Sequence, residues 1–386
     1  MVYLDHAATT PMHPDVIAEM TQVMEETFGN PSSIHQYGRS GQTKLENARQ
    51  TIADSLRVKP HEIIFNSGGT ESDNTALVET AFAKQVQGKH IITTAVEHPS
   101  ILNTAQYLEK LGFEVTYLPV DENGQLDIDE VKKALRSDTI LVSVMMANNE
   151  TGNLFPIAEI GELLQDHPAI FHTDAVQSYG KVAVYPEELQ VDLLSVSAHK
   201  FNGPKGVGFL YKRDGISLPT LLHGGEQEEK RRAGTQNLPG ICGMAKAIEL
   251  LPPETQTANQ EKYQTFASKL LDDLTAYGIE YRLNGDPANK LSHVLNLQFP
   301  GISNDLLLMQ LDLKGFAIST GSACTAGNVE PSHVLEAMYG KDAAAIDESV
   351  RISFGYGNTQ EEIDRFAKTI IDTIQRLKQR ESSKIS

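Results

Sequence analysis

Two neighbouring apolar runs end in residues that can do chemistry. AIFHTDAVQ (169–177) leaves Asp174 and Gln177 just past one run, and LLSVSAHK (193–200) leaves Ser197, His199 and Lys200 just past the next. A lysine at the end of an apolar strand is unusual. Pyridoxal 5′-phosphate (PLP) requires a lysine for its Schiff base, an acid against the pyridine nitrogen to keep the ring an electron sink, and donors for its phosphate. These two segments supply all three. The competing account of the same residues is a partly buried Asp174–Lys200 ion pair with no cofactor.

Six further segments bear on that choice. SGGTESDN (67–74) leads through Gly68 and Gly69 from a strand into a helix, with Thr70 and Asp73 spaced as a capping box. Such a turn seats an anion, although a plain strand-to-helix connection looks the same. It lacks the G-x-x-x-x-G-K-[ST] pattern, and GPKGVG (203–208) lacks G-x-G-x-x-G, so neither motif supports a nucleotide site. EHPS (97–100) offers His98 as an aromatic and a proton carrier, or as a structural histidine. Asn148 and Asn149 follow the run TILVSVMMA, where an amide orients a ligand or closes a turn. Arg351 alternates with apolar neighbours in SVRISFG and suits either a substrate carboxylate or a structural ion pair. KRRAGT (230–235) brings Thr235, a phosphate donor or part of a solvated loop.

The sixth segment, STGSACTAGNVEPSH (319–333), is a long connection rich in Ser, Gly and Ala that carries Cys324 near its middle. At roughly 3.3 Å per extended residue, five residues on each side let the thiol reach on the order of 15 Å. A thiol with a pKa of ~8.5 is only a few per cent thiolate at neutral pH unless its site activates it. An incidental exposed cysteine fits the composition equally well. Cys242, in GICGMAKAIEL, reads as a small core residue.

Elements must hold these residues in place. From residue 60 to 212, strand-like runs at 62–65, 90–96, 115–120, 139–147, 169–175, 193–198 and 206–212 alternate with helix-like segments. That is the pattern of an α/β fold with a mainly parallel sheet, here of seven strands, whose ligands bind beyond the carboxyl ends. Helices are expected over 14–28 and 39–56. After the polar stretch 252–262 the pattern changes to shorter strands and helices, which predicts a large domain over 14–257 and a smaller α+β domain from 1–13 and 258–386. The tail QRESSKIS is expected to fray.

A chain of 386 residues with net charge -18 supports two cores and argues against a surface that grips nucleic acid. No stretch approaches a membrane span and the N-terminus lacks a signal-peptide pattern, so a cytoplasmic protein is expected. Two cysteines without C-x-x-C spacing suggest neither disulfides nor a metal site.

The motifs YLDHAATTP (3–11), FGNPSSIH (28–35), SGGTESDN, EHPS, NNETG (148–152), HTDAVQ (172–177), SAHKFNGPKG (197–206), RRAGT (231–235) and GSACTAG (321–327) together resemble the NifS/IscS-type cysteine desulfurases. SAHK combined with GSACT is the specific part, and the match spans nearly the whole chain. The resemblance implies PLP fold type I and a homodimer in which Thr235 completes the neighbour's cofactor pocket. It implies Lys200 as the Schiff-base lysine, His98 as the ring-stacking histidine, Asp174 as the pyridinium partner, and Gln177 and Asn149 around the ring hydroxyl. Thr70, beside Gly69, with Ser197 and His199 would hold the phosphate, and Arg351 with Asn149 the substrate. Cys324 would carry a persulfide, on the longer loop of the IscS-like group. Tyr356 and Asn358 stand where basic residues are common in that family.

The implied reaction converts L-cysteine to L-alanine and passes the sulfur to an acceptor protein, a tRNA-thiolating enzyme or an iron–sulfur scaffold. The alternatives are a selenocysteine lyase or related PLP aminotransferase, which has less need of Cys324, and a binding platform, which has little need of Lys200.

Overall fold

The computed structural model describes residues 1–321, 324–325, 328–329 and 331–385, with only the backbone described for 324–325, 328–329 and 380–385. The chain opens with strand β1 (Val2–Tyr3) and reaches the central sheet through the helices Pro14–Glu26 and Gln36–Leu56. The sheet comprises β2 (Ile63–Asn66), β3 (His90–Thr94), β4 (Glu114–Leu118), β5 (Thr139–Ser143), β6 (Ile170–Asp174), β7 (Leu193–Ser197) and β8 (Gly208–Lys212). Its order is β2-β8-β7-β6-β5-β3-β4. Neighbours are parallel from β4 to β7, whereas β8 runs antiparallel to both β7 and β2. All seven expected strands form. Their apolar runs are near-continuous because helices cover both faces of the sheet, as in β5, where every residue is buried.

The chain passes outward from β3 to β4 and then returns to place β5 on the other side of β3. That reversal leaves a crevice beyond the carboxyl ends of β3 and β5, the usual ligand position in open α/β sheets. Residues 95–98, 144–149, 174–177 and 197–200 all follow strands that end on this edge. The expected run 139–147 stops being strand at Ser143, so Val144–Asn149 is free to turn over the crevice.

A second core forms where Val2 and Leu4 join Phe266, Leu270, Leu297, Phe299, Val350, Phe354, Phe366 and Ile370, all buried. It is built on β9 (Arg282–Leu283), β10 (Val294–Gln298) and β14 (Ser349–Ser353), with β11 (Phe316–Ala317) pairing parallel to β1. The long helices Pro253–Ala276 and Gln360–Ile385 pack against each other over it. The last helix continues into the tail that sequence alone leaves frayed. Between β11 and β14 lies a two-residue hairpin, β12 (Cys324–Thr325) and β13 (Asn328–Val329). Among the described residues, no helix is long and apolar enough to cross a membrane.

Candidate active site

One cavity of about 480 Å³ opens at the carboxyl edge of the sheet. Gly69, Thr70, His98, Asn149, Asp174, Gln177, Ser197, His199 and Lys200 all line it. Nine residues separated by up to 131 positions in the chain thus converge on a single space. Thr235 and Arg351 are not among its walls, and the Cys324 side chain lies outside the described residues.

Lys200 ends a 3₁₀ turn, Ala198–Lys200, that begins directly after β7. Its Nζ donates to the carbonyls of Ala7 (2.7 Å) and Ala8 (2.9 Å). These acceptors belong to the N-terminal segment, which crosses the cavity mouth after leaving the second core. Burial, reinforced by Arg351, lowers the Lys200 pKa from 10.5 to about 8, against the opposing pull of Asp174 and Asp5. The amine is therefore poised to lose its proton near neutral pH. Lys181 buttresses it from behind, donating to the carbonyls of Lys200 (3.1 Å) and Gln177 (3.0 Å).

Asp174 is the last residue of β6, and its Oδ1 accepts from the Val176 amide at 2.8 Å. Burial raises its pKa to about 6, while the Val176 amide and Lys200 oppose the rise. It remains largely a carboxylate at neutral pH, a fixed negative charge at the floor of the cavity. Beside it, Gln177 Nε2 donates to Ala7 O at 2.9 Å, leaving Gln177 Oε1 buried without a partner. Asn149 Oδ1 is likewise buried and unpartnered.

His98 caps the helix Pro99–Lys110, with Pro99 in the first helical position. Its Nδ1 accepts from the Ser100 amide at 3.2 Å and lies 2.7 Å from Ser100 Oγ. This locks the ring orientation and leaves one face open to the cavity. Burial first, then the cations Lys200 and His333, lower its pKa to about 4, so the imidazole is neutral.

On the opposite wall, Gly68 adopts φ +137 and opens the helical segment that starts at Gly69, continues through a π-helical stretch at Thr75–Glu79 and ends at Lys84. A Cβ on Gly68 would sit 3.2 Å from Ser197 Oγ in a backbone conformation that L side chains rarely adopt. The expected Thr70–Asp73 capping box does not form. Gly68 is the cap, so Thr70 already lies inside the helix and Asp73 points into the protein. Asn66 Oδ1 accepts from the Gly68 amide (3.0 Å) and Glu71 Oε2 from the Ser67 amide (2.9 Å) instead. Glu71 in turn accepts from Arg232 Nε at 2.8 Å, which ties this turn to the RRAGT segment.

Arg351 is buried one layer behind the cavity. Its guanidinium donates to Asn149 O and Asp5 Oδ1, both at 2.8 Å, and its Nε has no partner. The ion-pair alternative is thus realised in this conformation. Thr235 is exposed and does not line the cavity of its own chain. Its segment is shaped by Glu228, Glu229 and Lys230, three successive non-glycine residues at φ 48, 56 and 66. Left-handed backbone of this kind costs about 1–2 kcal/mol per residue. The Glu228 carboxylate offsets it, accepting from Arg49 Nη1 (2.7 Å), Arg49 Nη2 (2.9 Å) and the Phe65 amide (3.1 Å) in a buried bidentate pair. Glu228→Ala leaves the Arg49 guanidinium buried without its main partner and should cost about 3 kcal/mol of stability. Urea unfolding checks this as a lower midpoint at unchanged slope.

The aminotransferase class-V profile matches residues 2–366. A Bacillus subtilis (strain 168) protein named putative cysteine desulfurase IscS 1 is 52% identical over 376 residues, covering 97% of this chain and 99% of that protein. This chain belongs to the class-V aminotransferase family, in its NifS/IscS-type branch. Cysteine desulfurase IscS of Methanosarcina thermophila is 46% identical across 98% of this chain and 93% of its own. Among solved structures, a NifS-like protein superimposes with TM-score 0.90 at 37% identity, over 97% of this chain and 99% of its own. A structure titled SspA in complex with cysteine gives TM-score 0.81 at 35% identity, over 92% and 99%.

The walls of this class-V cavity fit PLP on their own chemistry. The Asn149 and Gln177 oxygens are buried acceptors in want of a donor, which a ring hydroxyl provides. Thr70, Ser197 and His199 stand at the glycine turn, Asp174 supplies a fixed anion and Lys200 an amine of lowered pKa. Sequence reasoning missed the carbonyls of Ala7 and Ala8, because backbone acceptors carry no residue signature. It also missed Glu71 and Arg232, whose pairing joins segments 161 positions apart.

Proposed function

We propose that this class-V enzyme is a cysteine desulfurase that converts L-cysteine to L-alanine and holds the sulfur as a persulfide on Cys324. The observation that carries the reading is the convergence of Lys200, Asp174 and His98 on one cavity. The desulfurase names of the two relatives and the cysteine complex of a structural neighbour support the substrate.

Asp174 would pair with the pyridine nitrogen, His98 would stack on the ring, Asn149 and Gln177 would take the ring hydroxyl, and Thr70, Ser197 and His199 would hold the phosphate. PLP, when bound through Lys200, supplies the sink for the electron pair released at Cα of cysteine. Lys200, with its pKa near 8, removes the Cα proton once freed from its covalent link. Arg351, exchanging Asp5 for the substrate, holds the carboxylate together with Asn149. The Cys324 thiolate attacks the substrate sulfur. A sulfur–sulfur bond forms as the carbon–sulfur bond breaks, and the carbon skeleton keeps that electron pair, takes up protons and leaves as alanine.

The test is to incubate the PLP-loaded protein with L-cysteine and a thiol reductant. Alanine and sulfide should appear in equal amounts. Pyruvate or another keto acid in place of alanine would refute the reading. The persulfide sulfur then passes to an acceptor protein, a tRNA-thiolating enzyme or an iron–sulfur scaffold, which sulfur-labelled enzyme mixed with each purified candidate distinguishes.

The working unit on this reading is a homodimer. Ile17, Met24, Phe28, Ile34 and Tyr37 are large apolar residues clustered in sequence and exposed, Ile34 by 92%. Such a patch is characteristic of a protein interface. Thr235 would then reach the phosphate of the neighbouring subunit. Mixing inactive Lys200→Ala with inactive Thr235→Ala should restore part of the activity through heterodimers, each with one intact site. Heterodimers that form, by mass measurement, without activity would refute the exchange.

A further inference from the structure

Behind His98 runs a short chain of hydrogen-bonded atoms that leads away from the cavity. His98 Nδ1 lies 2.7 Å from Ser100 Oγ, and Ser100 Oγ lies 2.6 Å from Asp73 Oδ2. Asp73 is buried on the helical segment after Gly69, so the chain joins two walls of the site. We propose that Asp73 is a positioning residue which stays protonated and, through Ser100, fixes the proton of His98 on Nε2.

The direction of the chain follows from proton counting. The Ser100 backbone amide points its only hydrogen at His98 Nδ1, 3.2 Å away, so Nδ1 presents a lone pair. Ser100 Oγ at 2.7 Å from that same lone pair must then donate to it. Its single proton is used there, and the 2.6 Å contact to Asp73 requires the proton to come from Asp73. Asp73 Oδ1 has no close hydrogen-bond donor, the Ser195 hydroxyl opposing burial without overcoming it, and the nearest ring nitrogen is His172 Nε2, 3.7 Å away. His172 is held neutral by burial, with a pKa of about 3, and contacts Ser143 Oγ and Ser195 Oγ at 2.9 Å each. An ionised Asp73 would be a buried anion with no cation beside it and two further buried carboxyls, Asp174 and Glu97, nearby. Burial and the Asp174 charge accordingly push its pKa well above the carboxylate range.

A neutral Asp73 does two things. It lets Asp174 keep its negative charge, since two adjacent buried carboxyls do not both ionise. It also aims a hydrogen-bond donor, His98 Nε2–H, away from the backbone and toward the cavity. The catalytic consequence rests on His98 lying over the cofactor ring, as proposed above, but the position of the proton does not.

The experiment has two arms. In cofactor-free and PLP-loaded protein labelled with ¹⁵N-histidine, the ring nitrogens of His98, assigned by their loss in His98→Gln, should show the proton on Nε2 from neutral pH down to about pH 5. A proton on Nδ1 overturns the proposal whatever the enzyme turns over. In kinetics, Asp73→Ala should lower kcat about tenfold with little change in KM, the scale on which lost supporting hydrogen bonds act. Asp73→Asn places an N–H where the acid O–H was and should rescue most of that loss. Equal damage from Asn and Ala, in variants that stay folded, overturns the proposal because an ionised Asp73 would be the working form. The acidic limb of kcat against pH should follow Asp174 and stay in place in Asp73→Asn. An acidic limb that disappears with Asp73→Asn also overturns it. His333, Lys200 and Glu97 face the same cluster and are unaltered in every variant. Should the protein make no alanine at all, the desulfurase reading falls while the nitrogen spectra still decide the position of the proton.

Discussion

Lys200→Ala should lower alanine formation from L-cysteine by at least about 10³-fold, because on the proposed mechanism one residue serves both as the covalent anchor and as the base. The cavity itself should survive. Ala7 and Ala8 carbonyls lose a donor but face an opening that water can enter, so PLP should still be held by the residues proposed for it, Asp174, Ser197 and the glycine turn. Retained cofactor, read by absorbance after gel filtration, beside absent turnover is the expected combination; alanine at the normal rate would remove Lys200 from the mechanism. The wild-type protein offers a pH test. With the Lys200 pKa lowered to about 8, the rate at which cofactor-free protein captures added PLP should rise tenfold per unit up to about pH 8 and then level. The sign follows from burial disfavouring the ammonium form, so the neutral amine prevails above pH 8 rather than above 10.5. A rate still climbing steeply at pH 10 would show that the environment does not depress the lysine.

Cys324→Ala should separate the two halves of the reaction. The substitution alters none of the residues proposed to hold the cofactor or the substrate carboxylate, so cofactor content and L-cysteine binding should remain close to normal. On the proposed mechanism, removal of the Cα proton by Lys200 does not require the thiol. In deuterated buffer, recovered cysteine should therefore still acquire deuterium at Cα, while alanine and sulfide fall by at least about 10²-fold for want of the nucleophile. Deuterium uptake and alanine release are measured in the same incubation, against wild type. Alanine made by Cys324→Ala at near the normal rate would mean that sulfur is expelled directly and that no persulfide on Cys324 is needed.

Much of this site can be read in sequence because strand ends are short-range features. Asp174 closes β6 and Lys200 follows β7 within three residues, so an apolar run ending in a polar residue already marks both. His98 and Asn149 follow β3 and β5 for the same reason. The capping box at Thr70 was misleading because its spacing rule assumes that the helix begins after Thr70, whereas Gly68 permits it to begin two residues earlier. Asp73 consequently changes from a cap into a buried acid. Partners made only by tertiary contact left no trace: the carbonyls that hold Lys200 lie 193 and 192 positions away, and Glu228 meets Arg49 across 179. The alternation in SVRISFG correctly set Arg351 apart from its apolar neighbours. It could not choose between a substrate and Asp5, since both present a carboxylate to the same guanidinium.

The N-terminal segment ties these observations together. It starts as β1 in the second core, delivers the Ala7 and Ala8 carbonyls to Lys200, and continues to Thr10, whose Oγ1 donates to His199 O at 2.8 Å. The reactive amine of one core is therefore measured against a ruler fixed in the other. Any rotation between the two cores must first lengthen or shorten its two hydrogen bonds, so the placement of this amine depends on how the cores sit.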